Sequence, residues 1–243
     1  MAKRYLYPAK TGDFSTPFNI EINQKNLRNA GPEDLQFLFY KKVLMVTALD
    51  TLAGIRFPKV NYPDLHNKNP KRFIRFISEY GSWEHGELVS TPFLLDSLST
   101  RNTRNGKLAE YLRDKMNGYD SNSGNYFKLT VFDETPSNLL DYATTENEEN
   151  LIWCYQHYAI FYRYRNFLVH EARTPGYAMD GIRNNENGAF YHGYIGNALE
   201  GWHLAYPVEL FVTLLSNSTN GLRDFFQEQN QSPYAFVGDT TRW

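Results

Sequence analysis

Thiol chemistry is almost absent from the chain: Cys154 is the only cysteine, which excludes an intramolecular disulfide and a cysteine-based zinc site. No apolar run approaches the roughly 18 residues that a membrane-spanning helix needs. The start, Met1-Ala2-Lys3-Arg4-Tyr5, lacks the apolar core of a secretion signal. A soluble cytoplasmic protein with no membrane segment is the expectation. A surplus of positive charge is missing too, with net charge −2 and pI ≈ 6.3, so no global field draws the molecule to nucleic acid. Any RNA site must be a local basic cleft. There is no Gly-rich phosphate loop, no Ser/His/Asp signature and no HExxH pattern, so neither a cofactor nor a metal is expected.

Rings are plentiful instead: aromatics make up 16% of the chain, with 18 Tyr and 17 Phe. Large rings fill cores efficiently, and some can stack on bases. At 243 residues the chain fits a single domain over 1–243 with a substantial core. Residues 1–30 read as an extended arm, with a strand at Phe18–Ile22. Pro32 suits the first turn of a long helix. Leu35, Leu38, Phe39, Met45, Val46, Leu49, Leu52 and Ala53 lie on one face of it, interrupted by Lys42. Phe37, Leu44 and Ala48 add a second apolar side, which predicts a central helix ending at Phe57-Pro58. Further helices are predicted from Asn69-Pro70, from Thr91-Pro92 as N-cap and first position, and over Leu108–Met116 up to Gly118. Tyr126–Phe132 alternates like a strand, and Asp133–Asn150 reads as a solvated acidic connection. A helix from about Glu146 to Ala172 ends at Thr174-Pro175-Gly176. Ala189–Tyr194 and Trp202–Tyr206 form a hairpin in a Gly- and Asn-rich insertion at 177–206. The last helix follows Pro207, with Ser218 and Thr219 as a close-packing point.

The segment Tyr162-Arg163-Tyr164-Arg165-Asn166-Phe167-Leu168-Val169-His170-Glu171 carries the chemistry. A guanidinium can clamp a phosphate, and an imidazole can move a proton near neutral pH. On an ideal helix Arg163, Asn166 and His170 share a stripe, whereas Arg165 and His170 are about 140° apart. Two copies packed about a twofold axis bring both side chains into one cleft. In the plainer alternative Arg165 pairs with an acid, Asn166 caps backbone, and His170 is held by the helix dipole.

Arg165-Asn166 followed after three residues by His170 resembles the Arg-x4-6-His motif of the HEPN superfamily, with the polar residue usual after the arginine. The resemblance covers the motif helix and, more loosely, the final helix, within 146–230. It implies a mainly α fold, an HEPN-like up-and-down helical bundle with a small β-hairpin insertion after the motif helix, and a homodimer. It also implies a metal-independent endoribonuclease of toxin–antitoxin or antiphage defence, with an RNA substrate and an antitoxin or other defence partner. Arg165 would bind the scissile phosphate, His170 would act as general acid or base, and Asn166 would orient a catalytic group or the phosphate. Arg163 would help to bind phosphate, and Glu171 could polarise the imidazole. Position 172 is Ala, where toxins paired with a minimal nucleotidyltransferase carry a modified tyrosine. The alternative function is a non-catalytic HEPN-like module that binds RNA or protein through the same dimerisation helix.

His192 and His203 face each other across the predicted hairpin and suggest a metal only weakly; His85 reads as part of a turn. Two basic stretches, Lys68–Arg75 and Arg101–Lys107, are candidate rims of an RNA cleft.

Overall fold

Proline and hydroxyl residues set most helix starts. The computed structural model describes residues 32–100, 106–121, 124–178, 188–193 and 201–233. Helix α1 spans Pro32–Arg56, α2 Asn69–Tyr80, α3 Thr91–Ser99 and α4 Lys107–Met116. Strand β1 (Tyr126–Lys128) leads directly into α5 (Leu129–Phe132), followed by α6 (Pro136–Leu140), α7 (Glu146–Cys154) and α8 (His157–His170). Strands β2 (Phe190–Gly193) and β3 (Trp202–Ala205) precede α9 (Val208–Glu228). Pro70, Pro92 and Pro136 each occupy a first helical turn, where a missing N–H costs nothing. The α3 cap is Ser90, one residue before the expected Thr91, and its hydroxyl accepts from Phe93 N. Thr135 and Thr145 cap α6 and α7 in the same way.

Helices α1, α2, α8 and α9 pack on one another around one core, whose fully buried rings include Phe73, Phe76, Phe161 and Phe211. A second core joins α3 and α4 to α6 and α7 through Leu94, Leu98, Leu108, Leu112, Leu139 and Ile152. The chain is thus mainly helical, with a three-stranded antiparallel sheet in the order β1-β2-β3. Phe127 pairs with Tyr191, and His192 with His203, so the hairpin lies as the sequence indicates. Ser218 is fully buried in α9, whereas Thr219 points outward. Among the described residues no helix is long and apolar enough to cross a membrane.

Several expectations change. Strand character in Tyr126–Phe132 stops at Lys128, because Leu129 and Phe132 turn into the core as a short helix. The acidic stretch is not simply solvated, since Asp133 and Glu148 are buried; Glu148 accepts from Thr144 N at 2.7 Å and from its hydroxyl at 2.9 Å. The second apolar side of α1 is not fully covered: Phe37 is 60% and Leu44 70% exposed. Lys42, which interrupts the inner side, is buried with its ammonium 3.3 Å from the Tyr164 hydroxyl. The predicted arm at 1–30 with its strand at Phe18–Ile22, residues 179–187 and 194–200 of the 177–206 insertion, and most of Arg101–Lys107 lie outside the described residues.

The motif helix is two helices. Gln156 is extended (φ −61°, ψ 146°) and separates α7 from α8. The backbone there leaves the helical pattern to pair with residues 86–90: Ser90 N donates to Tyr155 O, His157 N to Leu88 O, and Tyr158 N to Gly86 O. Tyr158 packs so closely on this turn that a Cβ on Gly86 would sit within 3 Å of its ring, so only glycine fits. Backbone bonds made across the fold replace those that a continuous helix would have made locally.

Candidate active site

Three helices build the site. From α8 come Tyr162, Arg165, Asn166 and His170; α1 contributes Asp50, and α2 contributes Arg72. Arg165 is buried along its stem, on the flank of α8 next to α1. Its Nη1 donates to Asn166 Oδ1 at 2.9 Å and lies 3.1 Å from His170 Nε2. Its Nη2 donates to Asp50 Oδ2 at 2.5 Å. The guanidinium carbon is 5.8 Å from the centre of the Tyr162 ring, and that ring packs on Phe73 of α2.

Arg165, Asn166 and His170 therefore meet within one protomer, and no second copy is needed to join them. The 140° estimate applies to Cα positions. An arginine side chain has four rotatable bonds, enough to sweep round the helix and along the final turn to the imidazole of the last helical residue. For Arg165 Nη1 to donate in this contact, the imidazole must accept at Nε2. His170 is exposed to solvent, while the arginine that touches it is not. The site has a fixed cation behind an accessible base.

Asp50 and Arg72 escaped the sequence reading. Asp50 Oδ2 holds Arg165, and its Oδ1 lies 3.9 Å from Arg72 Nη2 with no hydrogen-bond partner. Two arginines thus flank one carboxylate at the junction of three helices. One signal did exist: Asp50 is the lone acid in the apolar run Thr47–Ala53, and Arg72 belongs to the flagged stretch Lys68–Arg75. Within that stretch Lys68 and Lys71 are exposed near Arg72, whereas Arg75 turns aside to Glu79 at 2.6 Å. The plainer alternative is partly realised, since Arg165 does pair with an acid.

Arg163 and Glu171 are not brought to this site. Arg163 Nη2 donates to Cys154 O at 3.1 Å, and its guanidinium lies over the Tyr155 ring at 4.9 Å, on another flank of α8. Glu171 caps the helix and pairs with Arg173 at 2.5 Å, both side chains about half exposed. His192 is paired opposite His203, and burial and that neighbour lower its pKa. Among the described residues no cluster of three His, Cys, Asp or Glu side chains suitable for a metal ion is present.

A second polar centre lies inside the fold and was also missed. His157, the first residue of α8, places Nε2 2.6 Å from Asp133 Oδ2, both side chains fully buried. Thr91 N donates to Asp133 Oδ1 at 3.1 Å. The Tyr191 hydroxyl lies 3.0 and 2.9 Å from the two carboxylate oxygens and 2.7 Å from Ser90 Oγ. Burial pushes the Asp133 carboxyl up from its usual range, against the pull of His157, Thr91 and Tyr191. Fully buried, this centre joins α3, α5, α8 and β2 and fixes where α8 begins.

Compared with known protein families, with curated proteins and with solved structures, the chain gives no match.

Proposed function

We propose that the protein is a metal-independent endoribonuclease of the HEPN type, cutting RNA by attack of a ribose 2′-hydroxyl on the adjacent phosphate. The observation that carries this reading is the Arg165 guanidinium held between Asn166 and an exposed His170 at the open end of α8. When the substrate phosphate takes over the Arg165 Nη1 donor, His170 Nε2 is released to take the 2′-hydroxyl proton, the freed oxygen attacks phosphorus, and the 5′-oxygen of the next nucleotide leaves with a proton from solvent or from the imidazolium. Arg165, with Arg72 beside it, neutralises the charge that builds on the phosphoryl oxygens. Asn166 keeps the guanidinium turned toward the histidine. A toxin or antiphage role, with a homodimer and an antitoxin or defence partner, accompanies this reading.

Cleavage of a labelled RNA should proceed with EDTA present and leave a 2′,3′-cyclic phosphate. The same sequence with deoxyribose at the cut position should stay intact, since DNA lacks the nucleophile. Cutting of the deoxy substrate, or loss of activity in EDTA, removes the proposal. The second reading, a module that binds RNA or protein without cutting, is favoured by one contact: Asp50 already occupies Arg165. RNA binding with no cleavage is its expected result.

Asp50 competes with a phosphate for Arg165 and Arg72. Asp50→Asn keeps the shape and removes the charge. RNA affinity at about 0.15 M salt should rise roughly 3- to 10-fold, as expected for one charge near a protein surface. An unchanged or weakened affinity would show that Asp50 only positions Arg165 and that phosphate binds elsewhere.

A further inference from the structure

Beside the Arg165–His170 site lies a run of positive charge of which the reaction uses only Arg72. Between Asp64 and Glu79 no acid occurs, while Lys68, Lys71, Arg72 and Arg75 do, in a chain whose net charge is −2. Arg75 is engaged with Glu79, whereas Lys68 and Lys71 are exposed and make no ion pair among the described residues. The Arg72 guanidinium makes no hydrogen bond there either: its ion-pair partner, Asp50 Oδ1, is 3.9 Å away, beyond hydrogen-bond range.

The backbone sets these cations in order. Helix α8 runs antiparallel to α2: Phe73 packs on Phe161 and Tyr162, and the Tyr158 hydroxyl donates to Trp83 O, just beyond the end of α2. The last turn of α8, with His170, and the first turn of α2 therefore lie at the same end of the bundle. Lys68 is fixed on both sides, its N–H donating to Leu65 O at 3.1 Å and its carbonyl accepting from Arg72 N at 3.0 Å, with Leu65 buried. The Arg72 guanidinium lies over Gly54 of α1, one turn after Asp50, where a Cβ would stand 4.0 Å from Cζ. Around α2, Phe73 points about 100° from Arg72 toward α8; on the other side Lys68 stands about 40° and Lys71 about 100° round. Lys68 is also one turn, about 6 Å, along the axis from Arg72. Arg72, Lys68 and Lys71 thus step outward from the cleft onto the solvent face.

We propose that Lys68 and Lys71 form a flanking track of the RNA site. With the scissile phosphate on Arg165 and Arg72, the next two phosphates on one side of the cut rest on Lys68 and Lys71. The inference rests on the nuclease reading and adds to it a substrate that extends beyond the two nucleotides at the cut. A lysine ammonium is a point charge on a flexible stem, and a phosphate contact positions a strand without reading its sequence. Such contacts hold substrate and transition state alike, so they lower KM and leave kcat unchanged.

The test compares the full chain with a double variant, Lys68→Gln with Lys71→Gln, and with Lys107→Gln, an exposed lysine of α4 in the second core. Binding of a single-stranded oligonucleotide with 2′-O-methyl ribose throughout, which cannot be cut, is measured over a range of salt. The plot of log K against log salt should lose about 1.4 of its slope in the double variant, about 0.7 for each phosphate contact removed. Lys107→Gln should lose none. With cleavable RNA, KM should rise roughly 10-fold in the double variant at about 0.15 M salt while kcat holds. The difference should vanish on a dinucleotide, which has no flanking phosphate. An unchanged slope and KM in the double variant, with cleavage continuing, overturn the track and leave the nuclease standing. An equal loss in Lys107→Gln does the same, since it marks a general field and not a path. Failure of the unaltered chain both to bind and to cut RNA overturns the track together with the nuclease reading.

Discussion

His170→Ala is expected to lower RNA cleavage by about 10²- to 10⁴-fold, the usual worth of a positioned general acid or base. The unfolding midpoint should move by no more than about 2 °C, because the side chain is exposed and ends its helix. RNA binding should survive, since Arg165 and Arg72 remain. That combination separates a catalytic histidine from a structural one. Arg165→Ala is less informative: it too should stop cleavage, but it strands Asp50, whose partner in the ion pair has a side chain only 9% exposed. A loss of activity there mixes chemistry with folding. Full cleavage by His170→Ala would leave the Arg-x4-6-His resemblance as a coincidence of spacing.

Asp133→Ala should be the most destabilising single change outside the apolar core. It removes the acceptor of His157, Tyr191 and Thr91 N together; Tyr191 keeps Ser90 Oγ, but His157 Nε2 and Thr91 N are left buried and unpaired. Breaking a buried acid–histidine pair from one side costs about 3–5 kcal/mol. For a chain of this size that corresponds to a fall in midpoint of roughly 6–20 °C. Tyr191→Phe keeps the His157–Asp133 contact and loses one hydroxyl, so about 1–3 kcal/mol is expected. The pair of variants should be far from additive, as members of one network are. A loss below about 1 kcal/mol for Asp133→Ala would mean that the cluster is hydrated and loosely held.

The starts of α1, α2 and α9 were legible because proline marks them in the sequence, and those of α3 and α4 to within a residue or two. The α7–α8 break was not legible. Neither Tyr155 nor Gln156 is a glycine or proline, and the helix is interrupted because residues 86–90, about 70 positions earlier, pair with its backbone. Of the candidate site, Arg165, Asn166 and His170 were found by residue type and spacing. Their meeting in one protomer was missed because helical-wheel angles locate Cα atoms, not the tip of a long side chain. Asp50 and Arg72 come from other helices, and spacing within one segment cannot reveal them. His157 and Asp133 read as ordinary polar residues near a boundary until burial of both is known.

The break before α8 also gives that helix a fixed origin. His157 is locked to the interior at the first residue, and His170 is exposed to solvent at the last. Between these ends α8 works as a ruler: each residue advances the chain by about 1.5 Å and turns it by about 100°. One residue inserted or deleted between 157 and 165 would carry Arg165 a quarter-turn or more away from Asp50, while every residue of the motif stayed intact. Homologous chains of this architecture should therefore tolerate changes of side chain along the outer face of α8 far better than changes in its length.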